Sequence, residues 1–288
     1  MKHSHRITFF LVLLFLLSQL IGLLIVEQYI TTDTGVRGWV EDPGRPVLPE
    51  QQAPWYMFIA ILVGTLIFFF LMKFKLFGLW KIWFFIAVFF TLTYAWVPFL
   101  GRAGLFIAIL FAYFKIWRPN IFIHNFTELF IYGGLAAVFA PILTTRTAII
   151  LLILISLYDM YAVWKSKHMI KLAEFQKESK VFAGLYVPYS LKSFMKPISK
   201  QKPKGKVKRT KTIKVQSGLL GGGDMGFPLI FAGTLLIKYG LLKTMIIPVT
   251  TAIALFLLFY YAKKDKYYPA MPFVSAGCLI GYALLLII

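Results

Sequence analysis

Nine stretches of mostly apolar sequence, separated by polar links, govern what this chain can fold into. They run over Ile7–Val26, Trp55–Met72, Trp80–Val97, Leu100–Trp117, Ile121–Leu143, Ala148–Trp164, Leu219–Ile237, Leu241–Ala262 and Pro269–Ile288. A helix needs about 20 such residues to cross the hydrocarbon core of a bilayer. Only Pro98 and Gly101 punctuate the boundary between the third and fourth blocks. The first block follows the polar, basic start Met1–Arg6 and ends in Glu27-Gln28-Tyr29. It is too long for a signal-peptide core and has no small-residue cleavage site after it, so it reads as an uncleaved anchor. With 59% hydrophobic and 15% charged residues, against about 45–50% and about 25% in soluble domains, the composition excludes a soluble enzyme. The expected fold is an all-α polytopic membrane protein of nine transmembrane helices.

The net charge of +20 fits this map better than it fits nucleic-acid binding, because Lys and Arg concentrate between the apolar blocks. With the N-terminus inside, 25 of the 31 Lys and Arg residues fall on the inner side. Six remain outside: Arg37, Arg45, Arg102, Arg146, Lys238 and Lys243. That bias predicts an N-in, C-out topology. Residues 1–288 then form one membrane domain, with helices 1–6 over about residues 7–166, a cytoplasmic loop over about 167–217, and helices 7–9 over about 218–288. The Thr31–Ala53 segment reads as an outer turn or hairpin, Lys165–Lys180 as a basic helical continuation, and Ser199–Thr212 as disordered or lying on anionic headgroups. Cys278 is the single cysteine, and His3, His5, His124 and His168 have no metal-ligand spacing. No cofactor or metal is expected.

The acidic residues carry the chemical signal. Glu27 and Glu128 lie near block ends, where interfacial water is expected to reach them. Asp159 and Asp224 lie well inside apolar blocks, where an ionisable group costs roughly 2.5–3.5 kcal/mol on insertion scales and marks function by default. Asp159 comes six residues before Lys165, and Asp224 six residues after Gly218 on a block running the opposite way. At about 1.5 Å per residue each sits roughly 9 Å below the inner boundary, so the two acids can meet. Carboxylates that meet share a proton and titrate as a unit. An ionised member then takes a proton from water while a protonated member polarises a peptide carbonyl. The bland alternative makes each Asp interhelical glue, bonded to Tyr158 or Tyr161.

Gly221, Gly222, Gly223 and Gly226 surround Asp224, and Pro228 follows. Small residues let membrane helices pack closely; they also let an extended substrate backbone approach. Pro228 removes a helical hydrogen bond and implies a local opening or kink. Pro269-Ala270-Met271-Pro272 opens the last block. It reads as a helix start with proline in the first turn, or as a rigid, donor-poor, strand-like edge facing the acids.

These residues resemble the presenilin/signal peptide peptidase family of GxGD intramembrane aspartyl proteases. The resemblance rests on Tyr158-Asp159, on Gly221-Gly222-Gly223-Asp224, and on Pro269-Ala270-Met271 where the family has Pro-Ala-Leu. It implies that Asp159 and Asp224 form the catalytic pair of an aspartic endopeptidase cutting transmembrane segments of membrane proteins. It also implies that Tyr158, Gly221, Gly223, Pro269, Ala270 and Met271 shape the active site and bind substrate. The inner placement of the helix 6–7 loop is similar to presenilins and opposite to signal peptide peptidases, and the compact chain looks like a microbial, archaeal-type presenilin homologue. The implied partners are a substrate helix and the lipid bilayer, with no nucleic acid. The implied location is a multi-pass position in a membrane, the cell membrane if the source is a prokaryote. Presenilins cleave themselves in the helix 6–7 loop, where Val181–Met195 is apolar here. A proton- or cation-coupled transporter or channel using the Asp pair is the alternative. No His-Glu-x-x-His zinc pair and no serine–histidine arrangement is present.

Overall fold

A computed structural model of the chain describes residues 5–31, 52–165, 181–188, 217–262 and 268–288. Among the described residues, nine helices are α1 (His5–Thr31), α2 (Ala53–Lys73), α3 (Phe77–Leu100), α4 (Arg102–Trp117), α5 (Ile121–Phe139), α6 (Thr145–Met160), α7 (Gly222–Tyr239), α8 (Ile246–Tyr261) and α9 (Met271–Leu285), with a single helical turn, Leu241–Thr244, leading into α8. Local chemistry places the breaks. Gly101 at φ +56 ends α3, its N–H bonding Val97 C=O at 2.8 Å, so the division expected at Pro98 and Gly101 falls at the glycine. Asn120 caps α5 by accepting the Phe122 N–H at 2.9 Å. Thr144 and Thr147 form a reciprocal cap on α6.

Among the described residues, five stretches are long and apolar enough to cross a membrane: His5–Thr31, Phe77–Leu100, Ile121–Ile142, Thr145–Lys165 and Leu241–Tyr261. Trp55–Leu71 and Met271–Leu285 are shorter apolar helices. Large apolar side chains such as Phe106 (74% exposed) and Leu66 (67%) face outward, as suits a surface solvated by lipid rather than water. α7 is the centre of the bundle. It is buried from Met225 to Leu236 except at Phe227 and packs on α1, α5, α6, α8 and α9.

The seventh block departs from the sequence reading at its start. Leu219 and Leu220 are not helical: they belong to β2 (Ser217–Gly221), which pairs antiparallel with β1 (Gly184–Pro188) in the register Gly184↔Gly221 through Pro188↔Ser217. Asp224 therefore sits in the first turn of α7. From Gly218 to Gly221 the chain advances about 3.3 Å per residue as a strand, not the helical rise expected for this stretch. Asp159 lies at the other end of its helix, one residue before α6 gives way to a π-helical turn, Tyr161–Lys165. Most of Thr31–Ala53, Lys165–Lys180 beyond Lys165, all of Ser199–Thr212, and Val181–Met195 beyond Pro188 fall outside the described residues.

Candidate active site

Asp224 is the third residue of α7, and Gly221 is its N-cap with extended backbone at φ −67 and ψ 150. From that position its carboxylate reaches back to the Gly221 N–H, the return half of a capping box. Gly222 N–H donates to Ala183 C=O at 3.2 Å, so the first donors of α7 are taken by its own acid and by the approach to β1. Pro228 has no N–H to offer the Asp224 carbonyl four residues earlier. One residue on, Gln19 of α1 donates from Nε2 to the Met225 carbonyl at 2.9 Å. The helix start is thus braced from outside.

Asp159 is 9% exposed, and its Oδ2 accepts the Met271 N–H at 3.1 Å. It also accepts from the Ala270 backbone. The donors of α9's first turn can be accounted for one by one. Pro272 has none, Phe273 N–H bonds Ala270 C=O at 3.1 Å, and Ala270 and Met271 give theirs to Asp159. No side chain of α9's own start caps it, so Asp159 acts as an N-cap supplied by another helix. One turn back along α6 and one turn on along α9, the Ser156 and Ser275 hydroxyls lie 2.8 Å apart.

This geometry corrects one reading of Pro269-Ala270-Met271. Ala270 is helical at φ −86 and ψ −32, so the segment is a helix start and not a donor-poor strand edge. It faces the acid with two N–H groups. Pro269 is buried and Ala270 half-buried beside it.

The two carboxylates come from neighbouring helices, α6 and α7, and Asp159 lies close enough for its charge to act on Asp224. Of the glycines, Gly222 is the crowded one: a Cβ there would meet the Tyr132 hydroxyl at 2.8 Å. A Cβ on Gly221 would sit 3.3 Å from Asp224 Oδ2. Gly223 is exposed, and a Cβ there makes only ordinary contact with Phe227 at 3.6 Å. Tyr158, beside Asp159, is half-buried. Among the described residues, no group of three His, Cys, Asp or Glu side chains could hold a metal.

A second polar cluster lies behind the first, and in it Glu128 and Lys115 depart from the sequence expectation. Glu128 is 1% exposed, not reached by interfacial water. Its Oε1 pairs with Lys115 Nζ at 2.6 Å, and its Oε2 accepts both the Tyr132 hydroxyl and the Gly184 N–H at 3.1 Å. Lys115, counted among the inner-side charges, is instead buried against α5. The legible signal was the spacing His124, Glu128, Tyr132, a polar stripe four residues apart on one face of an apolar helix. For β1, it was Leu185-Tyr186-Val187 between Gly184 and Pro188.

The sequence matches the family model of signal-peptide peptidase, presenilin aspartyl protease over residues 12–288. The chain belongs to that family. It is an aspartic protease of the intramembrane class and an integral membrane protein. Two crystal structures of a presenilin family intramembrane aspartate protease share its fold. One, in space group C222, is 17% identical with TM-score 0.60, covering 95% of this chain and 94% of that one. The other, in space group P2, is 17% identical with TM-score 0.61, covering 96% of each. A search of curated proteins returned no match.

Proposed function

We propose that Asp159 and Asp224 are the catalytic pair, and that the protein hydrolyses peptide bonds within transmembrane segments of other membrane proteins. The observation that carries this is the convergence of the two acids from α6 and α7, Asp159 held by the Met271 and Ala270 N–H groups, Asp224 by that of Gly221, and the Asp159 charge acting on Asp224. Carboxylates held this way share one proton. The ionised member takes a proton from water as its oxygen attacks the scissile carbonyl carbon. The protonated member gives its proton to the carbonyl oxygen. Collapse of the tetrahedral species returns a proton to the departing amine nitrogen, and the C–N bond breaks.

A substrate helix must unwind first, because its carbonyls are tied up in helical hydrogen bonds. Gly223, next to Asp224, and Leu219, on the strand that leads to it, are both exposed, which supports approach of an extended backbone there. Tyr158, Gly221, Pro269, Ala270 and Met271 form the rest of the site wall. The chain crosses the membrane nine times, N-terminus inside and C-terminus outside, with residues 167–217 cytoplasmic. Lys115 no longer counts toward that charge bias, and the sense of the bias is unchanged.

The test is cleavage of a single-span membrane helix by purified protein in vesicles, beside Asp159→Ala and Asp224→Ala. Loss of cleavage in both is expected. Parental rates in either variant would overturn the assignment.

A further inference from the structure

The hairpin that delivers Asp224 is not held by its own two strands alone. In the Gly184↔Gly221 and Tyr186↔Leu219 pairs, the N–H and C=O groups of Gly184 and Tyr186 point away from β2, and α5 side chains take all four. Asn125 does so in both directions at Tyr186: Nδ2 donates to its C=O at 2.7 Å, and Oδ1 accepts its N–H at 2.9 Å. At Gly184, Glu128 Oε2 accepts the N–H at 3.1 Å and His124 Nε2 lies 2.8 Å from the C=O. Gly184 is at φ +137, a conformation other residues rarely adopt, so this hooking point admits little substitution. The α5 face thus pairs with β1 as a third strand would.

The same face reaches Asp224 by a second route. Glu128 Oε2 also accepts from the Tyr132 hydroxyl. That hydroxyl packs where a Cβ of Gly222 would be, close enough to Asp224 to interact with it electrostatically. Behind Glu128, the Lys115 ammonium spends its donors on Glu128 Oε1 at 2.6 Å, Thr127 Oγ1 at 3.1 Å and His124 Nδ1 at 3.2 Å. A carbonyl only accepts, so His124 donates from Nε2 to Gly184 and accepts from Lys115 at Nδ1. The cluster is closed, and its buried side-chain polar atoms are all partnered.

We propose that Glu128, with Asn125 and Tyr132, is the positioning centre of the active site: it fixes β1 and the start of α7 together and so sets where the Asp224 carboxylate stands. This rests on Asp224 being catalytic. The two routes, through Gly184 to Gly221 and through Tyr132 to Gly222, converge on the residues that open α7. A network serving stability alone has no need to converge on them.

The experiment measures kcat, KM and the position of the cut for a single-span membrane helix in vesicles. It compares the parent with Glu128→Gln, Tyr132→Phe and Asn125→Leu, and uses Asp224→Ala as control. Cleavage by Asp224→Ala sinks the catalytic assignment itself, whatever the other variants do. With that control dead, Tyr132→Phe is expected to lower kcat about five- to tenfold, with KM within about twofold. Asn125→Leu is expected to lower kcat about tenfold or more and to spread the cuts over neighbouring bonds. Glu128→Gln keeps an acceptor for Gly184 and is expected to retain more kcat than Asn125→Leu. The proposal is overturned if folded Tyr132→Phe and Asn125→Leu both keep parental kcat and a single parental cut site. Should Glu128→Gln fail to fold, the other two decide, since both leave the Lys115–Glu128 pair in place.

Discussion

Met271 donates its backbone N–H to Asp159 Oδ2 across 3.1 Å, tying the end of α6 to the first turn of α9. One carboxylate therefore serves two ends. It caps a helix that has no cap of its own, and it stands where the proposed hydrolysis needs an acid. The two duties separate by substitution. Asp159→Asn keeps an acceptor oxygen for the α9 donors but cannot hold or release the shared proton. It is expected to lose about 10²–10⁴-fold in kcat while unfolding in denaturant near the parental midpoint. Asp159→Ala is expected to lose activity as fully and to cost a further ~0.5–2 kcal/mol of stability.

The glycines ahead of Asp224 are not equivalent. Gly222→Ala pushes a methyl to 2.8 Å from the Tyr132 hydroxyl and is expected to lower kcat about tenfold. Combining it with Tyr132→Phe removes the oxygen it strikes, so the double variant should lose less than the two single losses multiplied together. Gly223→Ala has room on the inside. Its effect is expected in KM, because the added methyl lies on the face a substrate would use. A large fall in stability for Gly223→Ala would contradict this.

Lys115 and Glu128 are both almost wholly buried, so removing one partner strands the other. Lys115→Met is expected to destabilise by about 3–5 kcal/mol. The double variant Lys115→Met with Glu128→Gln removes both charges and should recover much of that loss, measured as unfolding in detergent. A double variant no more stable than Lys115→Met alone would show that the pair does not act as a pair.

Gln19 crosses from α1 to the Met225 carbonyl at 2.9 Å, next to the carbonyl that Pro228 leaves without its helical donor. Gln19→Leu is expected to cost about 1 kcal/mol, with a fall in kcat if the α7 start loosens. Equal stability and equal kcat would show the brace to be dispensable.

Much of the architecture was legible because hydropathy is a local property. The break at Gly101 falls where glycine allows the chain to turn, and the apolar runs need no knowledge of their neighbours to announce helices. The two buried acids were legible for the same reason: a charge inside an apolar run is costly wherever the run packs. The strand Leu219–Leu220 was not, since two leucines read alike in a helix or a strand and only β1 gives them partners. Pro269-Ala270-Met271 showed a helix start, but not that its donors turn to an acid 112 positions away.

The sequence by itself determined a membrane-embedded helical chain with two acids inside opposed apolar runs, because solvation in lipid acts residue by residue. Only the tertiary structure decided that Asp159 caps α9, that Glu128 is buried on Lys115 instead of bathed at an interface, and that α5 completes the hairpin beside Asp224. Those outcomes depend on which polar groups from distant parts of the chain satisfy one another once water is gone. That matching is settled by packing and is written in no single segment.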